Sequence, residues 1–383
     1  MTTPRRPRFA VLALYPVFVV LACLAVLLVV ELGGQVYGRL HPAYEVLHLQ
    51  PDRAVGWRLV PNLKWTWAGL GWYARYFSVE VENNADGFRD RPRRRERPEG
   101  VTRVAMLGDS MIEAAQVPLE KTAGQILERR RGPSFEVLNF GVSGYGVGQC
   151  LLAWETYARA FRPRYVFLLS AGYLMERTVQ ASTDSLSESA RGRGLRVRPT
   201  FRLDGDRLVR VRAADYDAFV SLQQERIRAF GGARMRRREP GLFLGDYLGL
   251  LWPPSRVLAA VRARLGRGRP LPPPRSGPEA DTAVDVGIAV IAELGRSVAA
   301  DGGRLVVLDA SRHFDPSAGA LEERLRELCR VHELGYIPLS DALRDAREHG
   351  RRVKWGAYDA HFNEAGNEVL AEAMGRWLDA EAD

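Results

Sequence analysis

The apolar positions of this chain fall into three regimes. Phe9 to Val30 is an uncharged, almost wholly apolar run. As a helix it would extend roughly 33 Å at 1.5 Å per residue, matching a hydrocarbon core of about 30 Å. A buried helix of a soluble protein is seldom apolar on every face. Pro16 is tolerable inside such a helix. The run therefore predicts one transmembrane helix over residues 9–30, preceded by a cytoplasmic basic tail over residues 1–8.

A mixed lead-in follows over residues 31–100. The alternation Tyr76-Phe77-Ser78-Val79-Glu80-Val81 has the period of a strand, and Asn84-Ala85-Asp86-Gly87 has the residues of a turn. Four of the eight tryptophans lie between Trp57 and Trp72. They can stack on sugars, sit at a membrane interface or pack against the main domain. Packing is the reading given most weight.

From Arg103 onward, short apolar runs alternate with amphipathic stretches. Val104–Leu107, Phe135–Leu138, Tyr165–Leu169, Leu305–Leu308 and Tyr336–Pro338 read as strands. Thr122–Arg130, Val147–Phe161, Ala283–Ala299, Ala318–Val331 and Glu364–Leu378 read as helices. Strands alternating with helices predict an α/β domain over residues 101–383, its parallel sheet covered on both faces. Residues 180–280 interrupt the rhythm with Ser, Arg, Gly and Pro, ending in Pro270-Leu271-Pro272-Pro273-Pro274. They read as an insertion, part loop and part helix, which could be a lid, a membrane-facing surface or poorly ordered. Within it, Leu242–Leu265 has an aromatic-aliphatic face.

Charge and cysteine content change this picture little. The 55 basic residues exceed the 46 acidic ones by nine, with arginine concentrated at Arg91–Arg97 and between Arg191 and Arg275. That excess suits an anionic membrane surface or plain solvated charge. No zinc-finger, RRM or homeodomain pattern supports nucleic-acid binding. Cys23 lies in the apolar run, while Cys150 and Cys329 read as buried free thiols, with pairing in an oxidising compartment as the alternative. No Cys or His cluster has metal-ligand spacing, so no metal or cofactor is expected. Arg5, Arg6 and Arg8 before the apolar run and Glu31 after it place the N-terminus in the cytoplasm. The chain would then be single-pass in the cytoplasmic membrane, with its C-terminal domain outside. A lipoprotein signal at Cys23 and a twin-arginine signal at Arg5-Arg6 are weaker alternatives.

Three segments carry candidate chemistry. Gly108-Asp109-Ser110 follows the first strand, at the sheet edge where open α/β sheets bind ligands. Asn139-Phe140-Gly141-Val142-Ser143-Gly144-Tyr145-Gly146 follows the second strand, its glycines allowing close backbone approach. Asp359-Ala360-His361 offers a general base beside a carboxylate, with Asn363 as the cap of the last helix. Each alone is an ordinary turn or loop.

Together, and in this order, they resemble the SGNH (GDSL-type) hydrolases. Gly108-Asp109-Ser110 is similar to the first block of that family, Val142-Ser143-Gly144 to the second, and Asp359-Ala360-His361-Phe362-Asn363 to the last. Asn84–Asp90 is similar to a stretch preceding the domain in membrane-anchored members. The resemblance covers residues 50–180 and 285–380. It implies a flavodoxin-like three-layer α/β/α sandwich with Ser110 as nucleophile, His361 as base and Asp359 as its orienting acid. Backbone N–H groups of Ser110 and Gly144 would hold the oxyanion. The sequence departs from the family twice. Tyr173, in Ser170-Ala171-Gly172-Tyr173, stands where the family has an Asn donor to the oxyanion. The last block is Asp-x-His where Asp-x-x-His is commoner.

The expected activity is an extracytoplasmic serine esterase or O-acyl transferase acting on a cell-envelope or secreted polysaccharide or glycolipid. The alternative is an impaired SGNH-like domain that binds a glycan or an envelope partner.

Overall fold

The computed structural model describes residues 8–40, 44–46, 48–68, 78–183, 196–212, 216–229, 235–237, 278–355 and 360–382. The chain divides into two compact units, Met1–Val46 with Gly69–Arg75 and Met235–Pro273, and the remainder.

In the first unit one helix runs from Arg8 to Leu40, with Pro16 inside it. Its Tyr15–Val36 span has a mean hydropathy of 2.7 and is long and apolar enough to cross a membrane. The helix continues ten residues past the apolar run that ends at Val30, through Glu31 and Gln35, whose side chains bond one turn apart at 2.7 Å. Hydropathy marks where a helix can meet lipid, whereas backbone hydrogen bonding alone decides where it ends. The short strands Tyr44–Val46 and Met235–Arg237 pair antiparallel.

The second unit is built on five parallel strands, β1 (Thr102–Leu107), β2 (Phe135–Asn139), β3 (Tyr165–Ser170), β4 (Arg304–Asp309) and β5 (Gly335–Ile337). They lie in the order β5-β4-β3-β1-β2, the doubly wound order 2-1-3-4-5 of flavodoxin-like sheets. Val104 is paired with Val137 on one side and Tyr165 on the other, and Asp309 with Ser170. Every residue of β3 is buried, which is why these strands read as continuous apolar runs without alternation. Fully burying a Val, Leu or Phe contributes roughly 1.5–3 kcal/mol, so Val166, Phe167, Leu168 and Leu169, all at 0% exposure, anchor the centre of the core.

Helices cover both faces. Val147–Thr156, Gly172–Val179 and Pro278–Ala300 pack together on one, Ala123–Arg131, Leu339–Glu348 and Glu364–Ala382 on the other. The expected α/β/α sandwich is therefore present. Two of these sheet-covering helices escaped the sequence pattern. Gly172–Val179 contains Tyr173 and follows β3 directly, and Leu339–Glu348 has the strongest amphipathic contrast of the described helices. The expected helix Val147–Phe161 breaks at Tyr157 and continues as a 3₁₀ turn over Ala158–Phe161.

The lead-in contributes two hairpins to this unit, Leu49–Asp52 with Gly56–Leu59 and Lys64–Ala68 with Ser78–Glu82. Trp57 and Trp65 are buried at 2% and 5% exposure, so these two tryptophans pack inward. Trp72 and the Tyr76–Phe77 start of the expected strand lie outside the described residues. The turn at Asn84 closes through its side-chain oxygen, which accepts from Asp86 and Phe88 N–H groups, with Gly87 at φ +77°. Within residues 180–280 the structure describes a hairpin, Thr200–Asp204 with Arg207–Val211, and a helix, Tyr216–Ala229. Leu242–Leu265 lies outside the described residues. Cys150 and Cys329 are buried free thiols.

Candidate active site

β1 delivers the first motif. Gly108 sits where a Cβ would come within 2.4 Å of Ile112 Cγ1, so only glycine lets the chain turn directly into a helix. Asp109 caps that helix, its carboxylate accepting from the Met111 N–H at 3.0 Å. Ser110 is the first residue of the helix Ser110–Glu113, which stops at Ala114 in the left-handed region, φ +52°. A helix this short leaves its terminal carbonyls unpaired inside the protein. The Arg89 guanidinium takes them up, donating to the carbonyls of Glu113, Ala114 and Val117. Burial lowers the Arg89 pKa to about 10, against the raising influence of Glu113 and Glu120, so it stays charged at neutral pH.

β2 delivers the second motif. Asn139 bonds to the Ile112 carbonyl at 2.8 Å and accepts from the Gly141 N–H at 2.9 Å, and the Val142 N–H donates to the Gly108 carbonyl at 3.2 Å. A Cβ on Gly141 would lie 2.4 Å from the Glu113 nitrogen. The glycine thus allows two backbones to touch. The Glu113 carboxylate is buried and accepts from the Ser143 N–H at 2.6 Å. Burial raises the Glu113 pKa, while bonds from Ser143 and the charges of Arg89 and His361 oppose the rise. Gly144 adopts φ +84°, a conformation costly for any residue bearing a Cβ.

His361 arrives from the far end of the chain. The antiparallel bridge Lys354–Phe362 and the Trp355 N–H to His361 carbonyl bond hold its backbone. Asn363 caps the last helix by accepting from the Gly366 N–H at 3.0 Å, and its amide donates to the Arg352 carbonyl at 2.6 Å. The imidazole Nε2 lies 2.9 Å from Ser110 Oγ, across 251 positions of sequence. Asp359 lies outside the described residues.

β3 delivers the helix Gly172–Val179 and with it Tyr173. The Tyr173 hydroxyl is shut off from solvent beside Asp109. Its ring packs edge-on to Phe314 and under the Arg177 guanidinium, 4.8 Å from the ring centre. Burial first, then the Asp109 charge, raises its pKa well above the usual phenol value, so it stays protonated. Arg177 pairs with Asp109 at 2.8 Å and donates to the Tyr145 carbonyl at 3.2 Å. It thereby ties together the residue before Ser110 and the residue after Gly144.

Ser110, Gly144, Tyr173 and His361 thus come from four segments gathered at the carboxyl ends of β1, β2 and β3, beside the point where strand order reverses. Ligands bind at that crevice in open α/β sheets. Glu113, Arg89, Arg177, Trp57 and Arg198 also contact these loops, and sequence reasoning placed none of them at this site. Buried charge was the available signal, but a charge looks the same in sequence whether solvated or buried. Arg93 of the basic run illustrates this: its side chain, 2% exposed, pairs with Asp90 and Glu128. Among the described residues no group of three or more His, Cys, Asp or Glu could hold a metal ion.

No family model matches the chain, and no curated protein does. Among solved structures it is similar to a lipolytic protein of the G-D-S-L family from Veillonella parvula, at 13% identity and a TM-score of 0.36, covering 71% of this chain and 96% of that one. It is similar to TesA at 11% identity and a TM-score of 0.38, covering 73% and 99%. It is also similar to an acetylxylan esterase from Geobacillus stearothermophilus, at 11% identity and a TM-score of 0.38, covering 72% and 94%.

Proposed function

We propose that this protein is a membrane-anchored serine esterase of the SGNH type, with acyl transfer to a carbohydrate hydroxyl as its second outcome. The observation that carries the reading is the 2.9 Å contact between Ser110 Oγ and His361 Nε2. That distance lies within the range over which a base can take a nucleophile's proton.

In this reading Ser110 Oγ attacks the acyl carbonyl as its proton passes to His361 Nε2. The new C–O bond turns the carbonyl oxygen into an oxyanion, held by the Ser110 and Gly144 N–H groups. Neither N–H donates to another group among the described residues. The tetrahedral adduct collapses, and His361 returns the proton to the departing alkoxide. Water or a sugar hydroxyl then attacks the acyl-serine by the same route in reverse. Asp359 would orient the imidazole by accepting from Nδ1.

Tyr173 is not assigned to the oxyanion, because its hydroxyl is sealed from solvent beside Asp109. Losing one donor typically costs about 10²–10³ in kcat, so a slow esterase is expected. The same observation favours the second reading, a glycan- or partner-binding domain without turnover.

The helix Tyr15–Val36 supports a membrane anchor. The Arg5, Arg6 and Arg8 cluster before it supports an extracytoplasmic catalytic domain in the cytoplasmic membrane. That placement motivates an acyl ester of an envelope or secreted polysaccharide as substrate. The full-length protein in detergent should hydrolyse p-nitrophenyl acetate, and Ser110→Ala should remove that activity. Equal rates in the two proteins would favour the binding reading.

A further inference from the structure

The Ser143–Gly144 peptide is gripped from outside the α/β fold. The Ser143 carbonyl accepts a hydrogen bond from the Trp57 indole Nε1 at 2.9 Å. Trp57 belongs to the lead-in hairpin, in the strand Gly56–Leu59. A trans peptide is rigid and planar, with its C=O and N–H pointing in opposite directions. The N–H on the same plane as the Ser143 carbonyl is that of Gly144, so fixing one direction fixes the other.

Trp57 is itself immobilised. It is 2% exposed. Its own carbonyl accepts from the Tyr145 hydroxyl at 2.7 Å, and the neighbouring Val55 carbonyl accepts from Gln149 at 2.7 Å. Arg198 lies over the indole, 4.9 Å from the ring centre, and donates to the Gly144 carbonyl at 3.1 Å. Glu113 holds the N–H of the preceding peptide, that of Ser143. Glycine at φ +84° imposes no side-chain restraint of its own, so the orientation of this peptide depends on those external bonds.

We infer that Trp57 is a positioning residue for the oxyanion donor, and that the lead-in hairpin therefore completes the active site as well as connecting it to the membrane helix. The inference rests on the esterase reading above. Trp57 acts through Gly144 and touches no substrate. An oxyanion donor acts on the transition state far more than on the bound ester, so a misaimed Gly144 N–H lowers kcat and leaves KM nearly unchanged.

The test uses full-length protein in detergent and p-nitrophenyl acetate, with wild type, Ser110→Ala and Trp57→Phe compared. Trp57→Phe keeps a ring and removes the N–H. A second protein carries benzothienylalanine at position 57, which keeps the bicyclic shape and lacks only the donor. Both should lose at least about tenfold in kcat, a fraction of the 10²–10³ for deleting a donor, with KM within about twofold. Inactivation by diethyl p-nitrophenyl phosphate, which also forms an oxyanion on the serine, should slow in parallel. A benzothienylalanine protein with wild-type kcat overturns the inference while leaving the esterase reading intact. So does a rise in KM at unchanged kcat. Absence of Ser110-dependent turnover in the wild type overturns the esterase reading and this inference with it.

Discussion

Replacing Gly141 by alanine tests whether the two motif-bearing loops meet as closely as their backbones indicate. The added Cβ would lie 2.4 Å from the Glu113 nitrogen and 2.7 Å from the Ile112 carbonyl carbon. Comfortable carbon contacts lie at about 3.5–4.0 Å, so the two backbones must part by about 1 Å. The clash falls on main chain, which cannot swing aside as a side-chain tip can. Overpacking of this kind costs about 1–3 kcal/mol of stability. The same shift separates the helix that begins at Ser110 from the loop that carries Gly144, and a misplacement of about 1 Å can cost 10²-fold in rate. Kinetics with p-nitrophenyl acetate and urea unfolding of full-length protein in detergent measure both quantities. Gly319→Ala is the control, since a Cβ there meets nothing within 4 Å. Gly141→Ala should lose roughly 10²-fold in kcat/KM by that reasoning, and the control should be unchanged. If Gly141→Ala matched wild type in both rate and stability, the two loops could not be packed backbone against backbone.

Two further predictions concern stability. Arg177→Met strips the partner from the Asp109 carboxylate, which is 2% exposed. It should destabilise by about 2–3 kcal/mol, below the 3–5 of a fully buried pair because the Arg177 side chain is 30% exposed, and adding Asp109→Asn should recover part of the loss in urea unfolding. His313 has its pKa lowered to about 4, by burial first and then by the charges of Arg347 and Lys354. Its unfolded form takes up a proton near pH 6.5 and its folded form only near pH 4, so folding stability falls as pH drops through that window, by up to about 1.4 kcal/mol per unit. His313→Leu should flatten that slope in urea midpoints taken between about pH 5 and 7.5. Asp90 and Glu113, both raised by burial, push stability the opposite way and cancel in the comparison.

The fold was legible because its cause is local. Strands buried on both faces must be apolar at every position, so Val104–Leu107 and Tyr165–Leu169 announced themselves, and the helices between them forced parallel pairing. The apolar N-terminal helix was legible for the same reason, although its end at Leu40 was not, since Glu31 and Gln35 continue the backbone pattern beyond the uncharged run. Gly172–Val179 escaped because it follows β3 directly, where Tyr173 was read only for its place beside the oxyanion, and Leu339–Glu348 went unread although its amphipathic pattern is strong. Asn363 was readable as a helix cap from residue type and position alone.

Sequence by itself marked the candidates for reactive chemistry: a serine after a strand, a histidine before the last helix, glycines in the loops between. Only the tertiary structure decided what they face. It set Ser110 and His361 at 2.9 Å, turned the Tyr173 hydroxyl inward beside Asp109, and brought Trp57 and Arg198 from outside the α/β fold onto the Gly144 loop. The reason is range. Periodicity, capping and turn chemistry act over a few residues and leave a trace in the local order of amino acids. A hydrogen bond between Trp57 and Ser143 spans 86 positions, and nothing in the identity of either residue records its partner.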